Sequence, residues 1–236
     1  MSQEILLELR NLSAWYAKEK KILSDFNIEL GSHEVVGLIG LNGAGKTTFM
    51  RTLSGLLNTY QMEGAVFQGK KLIFRDKSFK KKRYVVFAEE HSFQYFTFNE
   101  YIGYVAASYG KELTDVAELV EGFHFEEYTD VLLKELSTGN LKKAYLITAF
   151  ALKPELLLLD EPVNGLDFQS TEYLYQLMSA YKKYGTLLFS SHILESISLT
   201  SDRVLVLENG QIKKIFEQEE INAQNIREVL SEDEPI

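Results

Sequence analysis

The chain has 236 residues, 45% hydrophobic and 25% charged, which are the proportions of a soluble globular protein of one or two domains. Its 25 basic against 34 acidic residues give a net charge of −9, which argues against non-specific binding to nucleic acid. The absence of cysteine excludes disulfides, thiol catalysis and Cys-ligated zinc, and it suits a reducing cytosol.

Neither a signal peptide nor a membrane span is expected. Glu4 and Glu8 interrupt the stretch that would have to be the apolar core of a secretory signal. The longest apolar run, residues 35–41, is far shorter than the ~20 residues of a membrane-spanning helix. The chain is therefore not expected to cross a membrane by itself.

The first ninety residues predict strands around one glycine-rich turn. The turn at 40–45 is followed by apolar residues at helical spacing, and strand, turn and helix in this order indicate an α/β fold. Short strands are expected again within 63–87, around the basic run 77–83. The elements predicted before residue 60 are strands at 5–9, 12–16, 27–30 and 34–39 and a helix at 47–57.

The second half begins with a helical region and returns to the α/β pattern. The elements predicted here are helices within 97–152 and at 169–184, strands at 156–159, 186–190 and 204–207, and a hairpin turn at 208–210. The last residues, 231–236, are acidic and expected to be loose. We expect one domain over 1–236, divided into an α/β core with a β-subdomain (about 1–88 and 153–217), a helical subdomain (about 89–152) and an acidic tail (218–236).

The sequence GLNGAGKT fits the phosphate-binding pattern G-x-x-x-x-G-K-[ST] in its required place between a strand and a helix. Glycines let backbone amides approach a phosphate, and the helix start adds about half a positive charge. Lys46 can reach the β- and γ-phosphates, and the Thr47 hydroxyl can ligate Mg²⁺. The residues predicted to bind the nucleotide here are Gly40, Asn42, Gly43, Ala44, Gly45, Lys46, Thr47 and Thr48.

A second motif ends the predicted strand at 156–159 with two carboxylates, Asp160 and Glu161. Strand ends are where α/β sheets bind ligands. We expect Asp160 beside Mg²⁺ or directly on it, and Glu161 as the group that polarises the attacking water. An acidic strand end is common by itself. We assign this one to Mg²⁺ and water because the same chain also contains the phosphate-binding loop.

Between these motifs, residues 136–140 read LSTGN, which resembles the Leu-Ser-Gly-Gly-Gln signature of ATP-binding cassette (ABC) ATPases. Residues 164–167 resemble the D-loop of that family, which puts Asp167 near the dimer seam. His192 resembles the switch histidine that contacts the γ-phosphate. The resemblance covers roughly residues 5–217. It implies an α/β P-loop NTPase cassette with a RecA-like core, an antiparallel β-subdomain and a helical insertion.

The resemblance extends to the base-binding position. Tyr16 lies 24 residues before Gly40 and resembles the aromatic residue that stacks on adenine. The alternatives are a half-buried strand tyrosine without this function, and Trp15 in its place.

The resemblance also implies partners. In this family the signature loop of one subunit closes over ATP held by another, so Ser137 and the amide of Gly139 would reach the γ-phosphate only after dimerisation. The expected partners are a second ABC ATPase chain, identical or related, and an integral-membrane permease. The implied function is an ATP-hydrolysing transporter subunit with ATP and Mg²⁺ as cofactors. It would be cytoplasmic, and peripheral on the cytoplasmic face of the cell membrane.

The chain departs from the family pattern at three places. Thr138 and Asn140 replace a Gly and the Gln of the signature. The Q-loop glutamine has no obvious match: Glu89 stands at its position, and Gln94 is a less well placed candidate. A carboxylate at 89 could still ligate Mg²⁺. ABC subunits resembling multidrug, antibiotic or peptide exporters often carry Glu here, which favours export over uptake.

The basic run and a group of aromatic residues can each be interpreted in two ways. The basic run 77–83 is expected to be a solvated face, with contact to lipid head groups or a partner as the alternative. Aromatic residues either help form the groove for a permease helix, as the resemblance implies, or pack inside the helical subdomain. They are Phe93, Tyr95, Phe96, Phe98 and Tyr101.

Non-transport functions fit less well. DNA-handling members of the family usually carry long coiled-coil insertions or zinc cysteines, whereas about 90 residues separate Lys46 from Ser137 and there is no cysteine. Translation factors of the family generally fuse two cassettes. A regulator without hydrolytic activity would be expected to lose Glu161 or His192, and both are present.

Overall fold

The computed structural model describes residues 4–17 and 20–231, which form two sheets with helices packed between and outside them. The strands are β1 (Ile5–Ala17), β2 (Lys20–Gly31), β3 (Val35–Ile39), β4 (Tyr60–Gln61), β5 (Gly64–Phe67), β6 (Lys70–Lys71), β7 (Arg83–Val86), β8 (Leu156–Asp160), β9 (Thr186–Ser191), β10 (Arg203–Glu208) and β11 (Gln211–Glu217). The α-helices are α1 (Lys46–Leu53), α2 (Lys77–Lys80), α3 (Phe98–Tyr109), α4 (Val116–Gly122), α5 (Thr138–Leu152), α6 (Phe168–Ala180), α7 (Leu194–Thr200) and α8 (Ala223–Ser231).

The sheet that carries the site has the strand order β11-β10-β3-β9-β8-β7. Its strands from β10 to β7 are parallel, and β11 joins β10 through the expected antiparallel hairpin. Every residue of β3, β8 and β9 is buried, because helices or the second sheet cover both faces. The carboxyl ends of these three adjacent strands therefore open at one edge of the sheet.

The second sheet is antiparallel, with the order β2-β1-β5-β6 and β4 paired to β1. It packs with α1 against one face of the parallel sheet, in a cluster that includes Phe26, Phe49 and Leu158. The opposite face packs against α3, α5, α6 and α7 through residues such as Tyr145 and Phe189. Burial on both sides fixes the position of the parallel sheet.

The helical region runs from α3 to α5. Thr97 and Glu100 form a reciprocal capping box at the start of α3. In α5 every residue from Leu141 to Leu152 is buried, because α3, α4 and the parallel sheet surround it. This central helix begins at the signature-like segment and ends just before β8.

The basic run is only in part the expected solvated face: Lys77, Lys80 and Lys81 are exposed, whereas Arg83 is buried. The run forms the short helix α2 and leads into β7, where the Arg83 side chain is buried against the ring of Phe79, 4.3 Å from its centroid. The guanidinium donates to the carbonyl of Ser54, and burial lowers the pKa of Arg83 to about 10. A charge count cannot separate a buried arginine from its exposed lysine neighbours.

The C-terminal region also differs from the expected acidic tail. The chain forms α8 instead, with Ile226 fully buried. Val229 and Leu230 share its helical face and pack on the core, so three apolar residues outweigh the surrounding charges. Residues 232–236 of the predicted loose end lie outside the described residues. Within the described ranges, no helix is both long enough and apolar enough to span a membrane.

Candidate active site

The phosphate-binding loop connects β3 to α1, and its shape requires glycine. Gly43 and Gly45 have φ values of 84° and 114°. A Cβ at Gly40 would lie 2.2 Å from the carbonyl oxygen of Leu207, and one at Gly45 would lie 2.8 Å from Leu23 Cδ2. In the described part of the chain no side chain caps the start of α1, so its first amides remain available for an anion.

Lys46, the first residue of α1, is buried and folds back over this loop. Its Nζ donates to the carbonyl oxygen of Gly40 at 2.7 Å and to that of Leu41 at 3.4 Å. Burial lowers the pKa of Lys46, while Glu161 and Asp160 raise it in opposition. The ammonium thus lies between the loop and the acidic end of β8.

The end of β8 faces the start of α1. Thr47 Oγ1 donates to Asp160 Oδ2 at 2.8 Å, and Ser190 Oγ on β9 donates to Asp160 Oδ1 at 2.6 Å. The buried Asp160 carboxylate is therefore held from both sides. Ser190 was not among the predicted site residues, although its position near the end of β9, the buried strand next to β8, was a usable signal.

Glu161 follows with a positive φ of 49°, and its amide donates to Ser190 Oγ at 3.0 Å. Its Oε2 lies 2.8 Å from His192 Nδ1 and accepts from the His192 amide at 3.3 Å. Since a carboxylate only accepts hydrogen bonds, Nδ1 carries the proton in this contact. The Glu161 side chain is mostly buried and that of His192 mostly exposed. His192 lines a pocket with residues 40–42 of the loop, and the charge of Glu161 acts on Lys46.

The signature-like segment packs on the D-loop-like segment of the same chain. Ser137 caps α5, its exposed Oγ accepting from the Asn140 amide at 3.2 Å. A Cβ at Gly139 would lie 2.6 Å from the carbonyl oxygen of Gly165, so only glycine permits this approach. Thr138, which departs from the family pattern, is exposed.

Asp167 caps α6 and accepts from the amide and the hydroxyl of Ser170, both at 2.9 Å. Lys143 of α5, buried and not predicted as a site residue, forms an ion pair with Asp167 at 2.7 Å. Desolvation would raise the pKa of Asp167, but the hydrogen bonds from Lys143 and Ser170 together hold it well below its usual range. The interaction joins the signature helix to the D-loop-like segment.

Tyr16 and Glu89 line one groove of 330 Å³, together with Arg51, Phe87 and others. Tyr16 is 54% exposed, as a stacking platform for a base requires, whereas Trp15 is half-buried in β1. The structure thus brings together the residues predicted for the base and for the Q-loop position. Thr48, also predicted, is buried in α1.

A second unpredicted lysine lies near the Q-loop position. Lys142 Nζ donates to the carbonyl oxygens of Phe87 at 3.0 Å and Ala88 at 2.9 Å. Burial lowers the pKa of Lys142, with Asp160, Glu90 and Glu161 acting in the opposite direction.

A glycine loop between a parallel strand and a helix, with the Thr47–Asp160 and Glu161–His192 contacts beside it, defines a P-loop nucleoside triphosphatase. Comparisons with known proteins narrow this class. Residues 23–164 match the family model described as ABC transporter.

Relatives and a solved structure agree with the family model. The chain is 35% identical, over 89% of its length and 91% of the relative's, to the putative ABC transporter ATP-binding protein AlbC of Bacillus subtilis. It is 31% identical to the methionine import ATP-binding protein MetN of Clostridioides difficile, covering 97% of this chain and 74% of that one. A solved structure of an ABC transporter ATP-binding subunit superposes with a TM-score of 0.82 at 28% identity, covering 93% and 92% of the two chains.

The chain belongs to the ABC transporter family. It is an ATP-binding subunit of a transporter and an ATP hydrolase. The expected α/β P-loop cassette and the expected ATP ligand are confirmed.

Proposed function

We propose that this chain powers transport by closing as a dimer on two ATP molecules and reopening after hydrolysis. The observation that carries the proposal is the arrangement of Lys46, Asp160, Glu161 and His192 around one phosphate loop. Lys46 and the loop amides hold the phosphates, Glu161 polarises the attacking water, and His192 contacts the γ-phosphate. Tyr16 stacks on adenine.

Mg²⁺ fits the oxygen donors at this site. Thr47 Oγ1 and Asp160 Oδ2 lie within hydrogen-bond distance of each other, and hydroxyl and carboxylate oxygens are ligands that Mg²⁺ accepts. Among residues 4–17 and 20–231 no cluster of three or more acidic, histidine or cysteine side chains could hold a metal, so the nucleotide and water would supply the other ligands. Thr47, Asp160 and, from the groove, Glu89 would hold the ion, which would neutralise charge on the phosphates.

The partner ATPase chain completes each site. Ser137 is exposed at the start of α5, so its hydroxyl and the amide of Gly139 are available to the γ-phosphate of ATP held by the other chain. Asp167 would lie at the seam. Either an identical or a related chain would satisfy this arrangement.

A membrane permease is the second proposed partner, bound on the cytoplasmic face of the cell membrane. A cavity of 340 Å³ lies between the parallel sheet and α3, lined by Tyr84, Phe93, Tyr101 and other residues. Within the aromatic cluster Phe98 and Tyr101 are buried, whereas Tyr95 is 75% exposed. The cluster therefore combines internal packing with a free face to which a permease segment can dock. No nucleic-acid partner is proposed.

Co-purification tests the assignment. The tagged chain is expected to carry an integral-membrane protein out of detergent-solubilised membranes, and the complex is expected to hydrolyse ATP faster than the chain alone. A chain recovered without a membrane protein, but with DNA or ribosomes, would favour the non-transport alternative.

The proposed direction is export, and it rests on Glu89 at the Q-loop position. In proteoliposomes with the ATPase sites outward, an exported compound is available on the side where ATP is added. Mixed peptides or small molecules added on that side are expected to stimulate hydrolysis. Stimulation only by compounds enclosed in the vesicles would indicate uptake.

Glu89→Ala is expected to uncouple the permease from the ATPase. Basal hydrolysis would change by less than about threefold, while stimulation by the permease would be lost, because Thr47 and Asp160 remain to hold the ion and Glu89 is exposed in the groove. ATPase rates with and without the permease measure both quantities, and Gln94→Ala is the matched control. Normal stimulation in Glu89→Ala would overturn the assignment of Glu89.

A further inference from the structure

Lys142 connects two parts of the site that are far apart in sequence. It lies four residues after Thr138 in α5, the helix that begins at the signature-like segment. Its ammonium donates to the carbonyls of Phe87 and Ala88, the residues immediately before Glu89. One buried side chain thus joins the signature helix to the segment at the Q-loop position.

The chemistry of this contact argues against a space-filling role. Lys142 is only 6% exposed, and burying an ammonium sacrifices hydration that an apolar side chain of similar length would not lose. Two charge-assisted hydrogen bonds offset that loss. The negative potential of Asp160, Glu90 and Glu161 adds to them. The positive charge therefore serves a specific contact.

We propose that Lys142 is a positioning residue for ATP hydrolysis, which holds residues 87–90 in place against the catalytic end of β8 and links their position to the signature helix. Since β7 lies beside β8, a shift of residues 87–90 alters the surroundings of Asp160 and Glu161 directly. Lys143 makes the corresponding connection from α5 to Asp167. When a partner chain closes on the start of α5, Lys142 would pass the movement to residues 87–90 and Lys143 would pass it to Asp167. This last step rests on the proposed function.

A lysine that contacts the other end of α5 offers a matched control. Lys111 Nζ donates to the carbonyl oxygens of Leu152 at 2.9 Å and Lys153 at 3.1 Å. This contact has the same donor and acceptor groups as that of Lys142, but Lys111 is exposed and its contact lies at the far end of α5. Losing it should lower stability without affecting the site.

Lys142→Met removes the donors and keeps the length of the side chain, and Lys142→Arg keeps the charge. In Lys142→Met we expect kcat to fall on the order of tenfold while KM for ATP stays within about twofold, because the role is in orientation and not in binding. Hydrogen exchange at residues 87–92 is expected to become several-fold faster. Lys142→Arg should restore most of kcat, and Lys111→Met should change neither quantity. If Lys142→Met does not fold, Lys142→Gln replaces it.

Two results would overturn the proposal: wild-type kcat and wild-type exchange in Lys142→Met, or an equal fall of kcat in Lys111→Met. A wild-type chain without ATPase activity would instead count against the proposed function. The exchange measurement would still decide whether Lys142 holds residues 87–92.

Discussion

Glu161→Gln is expected to slow ATP hydrolysis by a factor of about 10²–10⁴, the usual contribution of a positioned general base. The Glu161 carboxylate lies 2.8 Å from His192 Nδ1 at the end of β8, and glutamine preserves its size but not its ability to take a proton. Binding of MgATP should survive, because Lys46, Thr47 and Asp160 are unchanged.

Steady-state ATPase rates measure the loss, calorimetry measures affinity, and gel filtration with MgATP measures assembly. The variant should accumulate as a dimer, since ATP that is not hydrolysed keeps the two chains closed. Glu118→Gln, an exposed carboxylate on α4, is the control and should behave as wild type. Undiminished turnover in Glu161→Gln would refute the role assigned to Glu161.

Lys46→Ala is expected to weaken ATP binding by at least about tenfold, since a hydrogen bond to a charged group contributes about 1.5–3 kcal/mol. The buried ammonium already lies over the loop, bonded to the Gly40 carbonyl, where it can transfer its donors to a phosphate. Its loss also leaves that carbonyl without this partner.

Calorimetric titration with ATP tests the prediction directly, and a thermal melt shows whether the variant is folded. Lys183→Ala removes an exposed lysine far along the chain and serves as the control for net charge. Wild-type affinity in a folded Lys46→Ala protein would contradict the phosphate-binding role of the loop.

Much of the site was predictable because its strongest signals are local. The pattern G-x-x-x-x-G-K-[ST] lies within residues 40–47, and the positive φ values of Gly43 and Gly45 are a local backbone reason for glycine at those two positions. Asp160 and Glu161 follow an apolar strand, and parallel strands leave their carboxyl ends at one edge of the sheet. Each of these inferences depends on short stretches of chain.

The misjudged parts depend on contacts between distant segments. Arg83 was predicted to belong to a solvated basic run. It lies instead in β7 of the parallel sheet, where it packs on Phe79 and donates to the carbonyl of Ser54. The segment after residue 217 was expected to be an acidic tail, yet Ile226 finds a fully buried site. Composition could not reveal either partner surface.

The sequence by itself determined the phosphate loop, the acidic strand end, the α/β class and the family, because each follows from residue types in a fixed local order. Only the tertiary structure decided which side chains support them: Ser190 on Asp160, Lys143 on Asp167, and Lys142 on the carbonyls before Glu89. These partners are 24 to 55 residues apart in the sequence, and no local pattern encodes such pairs. They form because the buried sheet and α5 bring otherwise costly polar groups within hydrogen-bond distance, where each offsets the desolvation of the other.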